Sequence, residues 1–379
     1  MLLNDIYLLK EQSMANKAIK YRLYPTTEQR VFLAKTFGSC RKVYNLMLAD
    51  KITHYRKTGG MLANTPAMYK KDYPFLKEVD SLALANEQLH LQAAYKNFFR
   101  DKAVGFPKFK SAKHTRKSYT TNNQKGSITV YDNCIKLPKI GRIKAAIHRK
   151  PDDGWILKSV TVSQDSDERY YASVLYEYER PQSGILKPLE IVGLDYKSDG
   201  LYMDSEGKCH NGHKYFRMGQ VKLAKQQRKL KHKTIGSNNY IKQQLKISRI
   251  HKHIKNQRLD DLHKTSTEIA NQYDAVCVES LNMRAMSNKG FGNGKATMDN
   301  GYGMFLNMLE YKLSDRGKYF VKVDKWYPSS QICSHCGRRK KMTLGQRVYK
   351  CECGLSMDRD LNAAINIKNE GIRILREAA

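Results

Sequence analysis

CSHCGRRKKMTLGQRVYKCECGLSMDRDLNAAINI, from Cys333 to Ile367, sets four cysteines in two close pairs directly ahead of two aspartates. Cys333-x-x-Cys336 and Cys351-x-Cys353 are separated by fourteen residues. Two such turns bring four thiolates around one Zn²⁺ at Zn–S distances of ~2.3 Å, and a four-thiolate site with no open position is structural. Gly337 and Gly354 each follow a pair, where the turn must accept unusual backbone angles. His335 could ligate only by displacing a cysteine. Arg338, Arg339, Lys340, Lys341 and Arg347 surround the knuckle and suit phosphate. Asp358 and Asp360 then open a final helix, expected over 359–376.

Working outward, those aspartates have counterparts. Asp195 ends the apolar strand IVGLD and Glu279 ends DAVCVE. Hard divalent cations take oxygen ligands. Enzymes that cut phosphodiesters commonly hold two such ions about 4 Å apart. Acids are scarce in this chain, so three that follow buried hydrophobic runs or open a late helix form a candidate set: Asp195, Glu279 and Asp360. A strand with Asp, a hairpin, a strand with Glu and a late helix with Asp is the order of an RNase H-like nuclease. Competing motifs fail. GFGNGKAT has Lys at 289 where a phosphate loop needs glycine, and Ala296 where it needs Ser or Thr. His251 and His253 lie in a basic helix and read as a nucleic-acid face.

The 379 residues exceed one ordinary core and predict two or three domains. Lys and Arg number 68 against 36 Asp and Glu, a formal charge of +32. Such an excess is tolerated when a polyanion neutralises it, and nucleic acid is the leading partner. No stretch approaches the ~20 apolar residues of a membrane span. Cys40, Cys134, Cys209 and Cys277 are scattered singles, which predicts a reducing cytoplasm or nucleoid.

KAIKYRLYPTTEQ predicts a strand stopped at Pro25, with Thr26 or Thr27 capping a helix. Helical patterns follow to about Arg100; Leu84, Leu91, Tyr95 and Phe98 share one stripe, with Asn86, His90, Lys96 and Arg100 on the other face. From about 105 to 180 short alternating stretches predict antiparallel strands, expected to curl into a small barrel. Lys and Arg interleave there with Phe109, Tyr119 and Tyr131, a mixture that holds phosphates and stacks bases. Helices are expected between Met218 and Asp274 and over MFLNMLEYKLSDRG, and a Gly-rich loop over 287–303.

KYRLYPT, YKNFF, GFPKFK, VGLDYKSDGLYMDSEG, CVESLNM, the two cysteine pairs and DRDLNAAINIKN together resemble TnpB (OrfB), the transposon-encoded relative of type V CRISPR effectors. The likeness runs from Met14 to about Leu375. It implies a multidomain α+β protein. Residues 1–13 are an extension, 14–36 with 113–182 a β-barrel wedge domain, and 37–112 a helical recognition insert. An RNase H-like (RuvC-type) nuclease domain covers 186–328 and 356–376, interrupted by a zinc ribbon at 329–355. Carried over by motif, Asp195, Glu279 and Asp360 hold a pair of Mg²⁺ ions, while Cys333, Cys336, Cys351 and Cys353 hold Zn²⁺. Two departures stand out: Tyr196-Lys197-Ser198 replaces a small, Gly-containing segment, and Ser280 stands where relatives carry Asp.

The implied activity is RNA-guided DNA cleavage, with a guide RNA from the transposon end and a short target-adjacent motif. Tyr119, Thr120, Thr121, Asn122 and Asn123 are candidates for reading that motif, since Asn pairs bidentately with adenine. Lys108, Lys110, Arg338 and Arg339 are candidates for phosphate. The alternatives are a guided repressor or a transposition accessory protein without cleavage, a strand-joining transposase, and a zinc-ribbon regulator that reads duplex directly.

Overall fold

β1 (Met14–Tyr24) alternates as its sequence demands, with Ile19, Tyr21 and Leu23 buried between exposed or half-buried neighbours. Pro25 ends it, and Thr26 starts α1 (Thr27–Thr58) through a reciprocal capping box: Thr26 Oγ1 accepts from the Gln29 N–H and Gln29 Oε1 from the Thr26 N–H. α2 (Ser81–Arg100) is capped by Asp80, which accepts from the Leu82 N–H at 3.1 Å. The computed structural model describes residues 14–180, 188–288, 294–343 and 345–378. The expectation of an extension over 1–13 lies outside them. The chain divides into two compact units, Met14–Glu179 and a second from Arg180 onward.

In the first unit, six further strands follow the helices: β2 (Lys117–Asn122), β3 (Thr129–Val130), β4 (Cys134–Leu137), β5 (Gly141–Ala146), β6 (Ile156–Gln164) and β7 (Tyr170–Glu179). They form one antiparallel sheet in the order β2-β6-β7-β1-β5-β4-β3. β1 pairs with β7 from Met14↔Glu179 to Leu23↔Tyr170, so the first strand sits inside a sheet built mostly from later ones. Among the described residues no pairing joins β2 to β3. α1 and α2 contribute Leu33, Val43, Met47, Leu84 and Leu91 to the core under this sheet. On the α2 face that carries Asn86, His90, Lys96 and Arg100, Asn86 is buried, as is Glu87 beside it.

The second unit begins with β8 (Ile191–Tyr196), β9 (Tyr202–Asp204) and β10 (Cys209–His210). A helical pair follows, α3 (Tyr215–Lys231) and α4 (Asn238–Gln272), then β11 (Ala275–Glu279). α5 (Met283–Met286), α6 (Gly294–Asn300) and α7 (Tyr302–Ser314) lead to β12 (Tyr319–Val323). A hairpin of β13 (Val348–Lys350) and β14 (Ser356–Asp358) precedes α8 (Arg359–Ala378). The sheet order is β10-β9-β8-β11-β12, with β8, β11 and β12 parallel. Where a Gly-rich loop was expected over 287–303, residues 294–300 are helical, and 289–293 lie outside the described residues.

β11 reads Ala-Val-Cys-Val because both its faces are covered. Val276 and Val278 pack with Val192, Leu194, Phe305 and Leu309 on one side. Cys277 packs with Val321, Val323 and Ile367 on the other, under α8. No described helix is long and apolar enough to cross a membrane.

Candidate acidic site and metal centre

Strand periodicity aims the acids. Gly193 and Cys277 face α8: a Cβ on Gly193 would lie 2.1 Å from the Ala364 carbonyl oxygen, and one on Gly371 would lie 2.1 Å from Cys277 Sγ. Side chains alternate along a strand, so Asp195 and Glu279, two residues on, face α8 as well. β8 and β11 are parallel and in register, Leu194 opposite Val278, which sets Asp195 and Glu279 side by side at the C-terminal strand ends. On α8, Asp360 lies one turn before Ala364 and so comes to the same end. The absence of a side chain at Gly193 lets that helix lie against the strand.

The electrostatics record the convergence. Burial pushes the Asp195 carboxyl well above the ordinary carboxylate range, and the charges of Asp360 and Glu279 push it further. The Arg359 guanidinium opposes them. Burial pushes Glu279 up to about 7. Asp360 is buried and accepts from Arg359, Nη2 to Oδ1 at 3.0 Å. Three mutually repelling oxygen donors at the C-terminal ends of the parallel strands form the donor set a hard divalent cation satisfies. As placed, they are looser than the cysteines: among the described residues only the four cysteines bring three or more ligand atoms within 4.8 Å of one another.

Asp358 has a different task. Its Oδ1 accepts from the Asp360 and Leu361 N–H groups at 2.8 and 3.1 Å, capping α8. Lys197, one of the two departures, donates from Nζ to Cys209 Sγ at 3.3 Å. The Ser280 N–H donates to the Val323 carbonyl. α6 holds the segment after Asp195: Asn300 Nδ2 donates to the Lys197 and Ser198 carbonyls, and Thr297 Oγ1 pairs with the Tyr196 hydroxyl.

The four sulfurs form a compact cluster, with Cys333–Cys353 and Cys336–Cys351 each 3.6 Å apart. A tetrahedron of Zn–S bonds near 2.3 Å has edges of about 3.8 Å, so the set fits zinc. Gly337 and Gly354 take the positive φ values, 75° and 93°, that their turns require. His335 is exposed and outside the cluster. Burial pushes the Cys333 thiol up, but N–H groups of Cys336 and His335 and the neighbouring thiols outweigh it and draw it down to about 6. The Leu355 N–H favours the Cys353 thiolate, yet burial and the surrounding sulfurs leave that thiol pushed up to about 12.

Two asparagines explain why the knuckle stands beside the acid. Asn362 Oδ1 accepts from the Ser334 N–H at 3.0 Å, and its Nδ2 donates to the Ile332 carbonyl at 2.7 Å. Asn366 Nδ2 donates to the Ser329 and Ile332 carbonyls at 2.8 and 2.7 Å. Both are buried on α8 and fasten the first knuckle to the helix that carries Asp360. The sequence reading missed them; the signal was two amides one helical turn apart inside an otherwise apolar run.

The candidate nucleic-acid residues divide. Tyr119 and Thr121 are buried, because alternate residues of β2 face the core, and Thr121 donates to Asp80; neither reaches a base as placed. Asn123 is spent on backbone: its Nδ2 donates to the Leu157 carbonyl on β6 and its Oδ1 accepts from the Ile128 N–H. Thr120 pairs with Thr161 Oγ1, and Asn122 is half-buried. Lys110 is paired with Glu87 and lies over the Tyr44 ring, whereas Lys108 is exposed. Arg338 pairs with Glu352, and Arg339 reaches Gln331 at 3.5 Å.

Three family models match: "Cas12f1-like, TNB domain" at 302–367, "Helix-turn-helix domain" at 14–60, and "Probable transposase" at 173–289. In this chain 14–60 spans β1 and α1. A "Putative RNA-guided DNA endonuclease" of Streptomyces pristinaespiralis is 34% identical over 367 residues, covering 94% of this chain and 89% of that protein. InsQ of Escherichia coli K12, named with the same activity, is 30% identical over 382 residues, covering 95% and 93%. Among solved structures, the protein of a Cas12f1–sgRNA–target DNA complex shares the fold with a TM-score of 0.62 at 14% identity, over 94% of this chain and 99% of that one.

Proposed function

Because the chain belongs to the TnpB (OrfB) family, we propose that it is an RNA-guided DNA endonuclease whose nuclease centre is Asp195, Glu279 and Asp360. One observation carries the reading: three carboxyls, more than eighty residues apart in sequence from one to the next, interact electrostatically at the C-terminal ends of two parallel strands. The three would hold a pair of Mg²⁺ ions, which supply water activation and stabilise the leaving oxygen of the phosphodiester.

The chain's own residues prepare that site. β8 and β11 present two carboxylates in register, and α8 brings the third. Arg359 shields part of the negative charge. Asn300 and Thr297 fix the loop behind Asp195. The zinc ribbon, 329–355, steadies α8 through Asn362 and Asn366. The mixed five-stranded sheet and its flanking helices, 186–328 and 356–376, then form an RNase H-like, RuvC-type domain. The seven-stranded sheet, 14–36 and 113–182, is the wedge domain with 37–112 as its helical insert. That unit and the exposed bases Lys108 and Arg339 recognise a transposon-end guide RNA. Base pairing reads the target, and the protein reads a short adjacent motif.

The test is cleavage of a matched plasmid by protein, copurifying guide and Mg²⁺. Asp195→Ala is expected to abolish cutting while guide affinity stays within a few-fold. Equal cutting by wild type and variant would overturn the assignment.

A further inference from the structure

α2 ends in an aromatic cluster that the fold leaves partly open. Phe98 contacts Phe99 and Phe106, with ring centroids 5.3 and 5.5 Å apart. Tyr95 lies beneath, 6.3 Å from Phe99 and 5.6 Å from Phe106. Tyr95 is buried, but Phe99 is 60% exposed and Phe106 45%, and nearby Phe109 is 57% exposed. Lys102 Nζ stands 4.2 Å from the Phe98 centroid and 5.1 Å from that of Phe99.

A contiguous patch of large apolar rings open to water marks an interaction site. The charge around them identifies its chemistry. Between Lys96 and Lys117 the chain carries eight Lys and Arg and one acid, Asp101, whose carboxylate is spent capping the Ala103 N–H at 2.9 Å. A protein-docking surface is depleted of lysine at its centre. Aromatic faces set among lysines suit a stacked nucleobase with its phosphates alongside. Duplex bases are inaccessible to such a platform, whereas folded RNA presents unpaired bases in loops and bulges.

We propose that Phe99 and Phe106, backed by Tyr95 and Phe98, are a stacking platform for an unpaired base of the guide RNA, with Lys102 on the adjoining phosphate. The proposal rests on the RNA-guided reading above, but its readout is RNA binding and is independent of cleavage.

The experiment measures affinity of the full chain for its copurifying RNA across a salt series. Phe99→Ala is expected to weaken binding about tenfold at every salt concentration, leaving the slope of log K against log salt unchanged, because stacking releases no counterions. Lys102→Ala is expected to make that slope shallower by roughly 0.7, one phosphate contact to a single strand. Phe99→Trp is expected to restore affinity. In parallel, Phe99→p-benzoylphenylalanine is photolysed in the complex with guide and target DNA, and the adduct is expected on an unpaired guide nucleotide. An adduct on DNA or on a second copy of the protein, unchanged affinity in Phe99→Ala, or an altered slope in that variant overturns the platform. Wild type that binds RNA but does not cut would overturn the nuclease assignment and leave the platform standing.

Discussion

Glu279 holds its proton to about pH 7 because it is buried, and neighbouring Asp195 is raised by burial and by the other two acids. A carboxyl with an ordinary value of 4.5 in the unfolded chain then binds more protons folded than unfolded between pH 4.5 and 7. Stability from this group therefore falls as pH rises through that window, by at most about 3 kcal/mol. In divalent-free buffer, Glu279→Gln is expected to melt higher than wild type at pH 8 and nearly level with it at pH 5. A difference independent of pH would refute the burial argument. The asparagines make a second prediction. Asn366→Ala leaves the buried Ser329 carbonyl without its donor, at about 1–3 kcal/mol if it stays buried, while the Ile332 carbonyl keeps the Asn362 amide. Hydrogen exchange is expected to quicken over 329–341 and to remain unchanged over 14–179. The acids were legible, since a carboxylate after an apolar strand is conspicuous. Asn362 and Asn366 were not, because their partners are backbone groups about thirty residues upstream.

α8 is the element on which the site depends, and its seat is narrow. Gly193→Ala drives a methyl toward the Ala364 carbonyl and the Lys368 N–H, both backbone atoms that cannot swing aside. Overpacking of this kind costs typically about 1–3 kcal/mol. The variant is expected to lose several degrees of melting temperature and to lose cleavage, since Asp360 moves with its helix. Retained cleavage at wild-type rate would show that α8 tolerates the shift. The ribbon makes the complementary case. Stripping zinc with a chelator, or Cys336→Ala, is expected to release one zinc per chain and unravel the 329–358 region, read by proteolysis, with the 191–323 sheet intact. Element boundaries followed local chemistry where local chemistry was strong, as in the capping box at Thr26 and Gln29. They failed at α6: its glycine-rich approach suggests a loop, but Asp299 accepts from the Phe216 and Arg217 N–H groups and from Arg258, and that tertiary anchoring stabilises a short helix. Tyr119 and Thr121 are a different case: aromatic and polar residues among lysines read as a surface, but the pleat of the strand turns both inward.

At the scale of the molecule, +32 charges demand a polyanion. Guide affinity is expected to fall by roughly 10³ to 10⁵ between 50 and 200 mM salt, as six to ten neutralised phosphates would require. A flat salt response would mean that RNA is not the counter-charge. Composition, cysteine spacing and the identities of the acids were determined by the sequence alone, because charge and ligand type belong to single residues. Which strand pairs with which, and how near α8 approaches β8, was decided by the tertiary structure. Proton affinity and metal binding depend on distance through space. Residues more than eighty positions apart along the chain become neighbours only when parallel strands fall into register and a residue without a side chain lets a helix close over them.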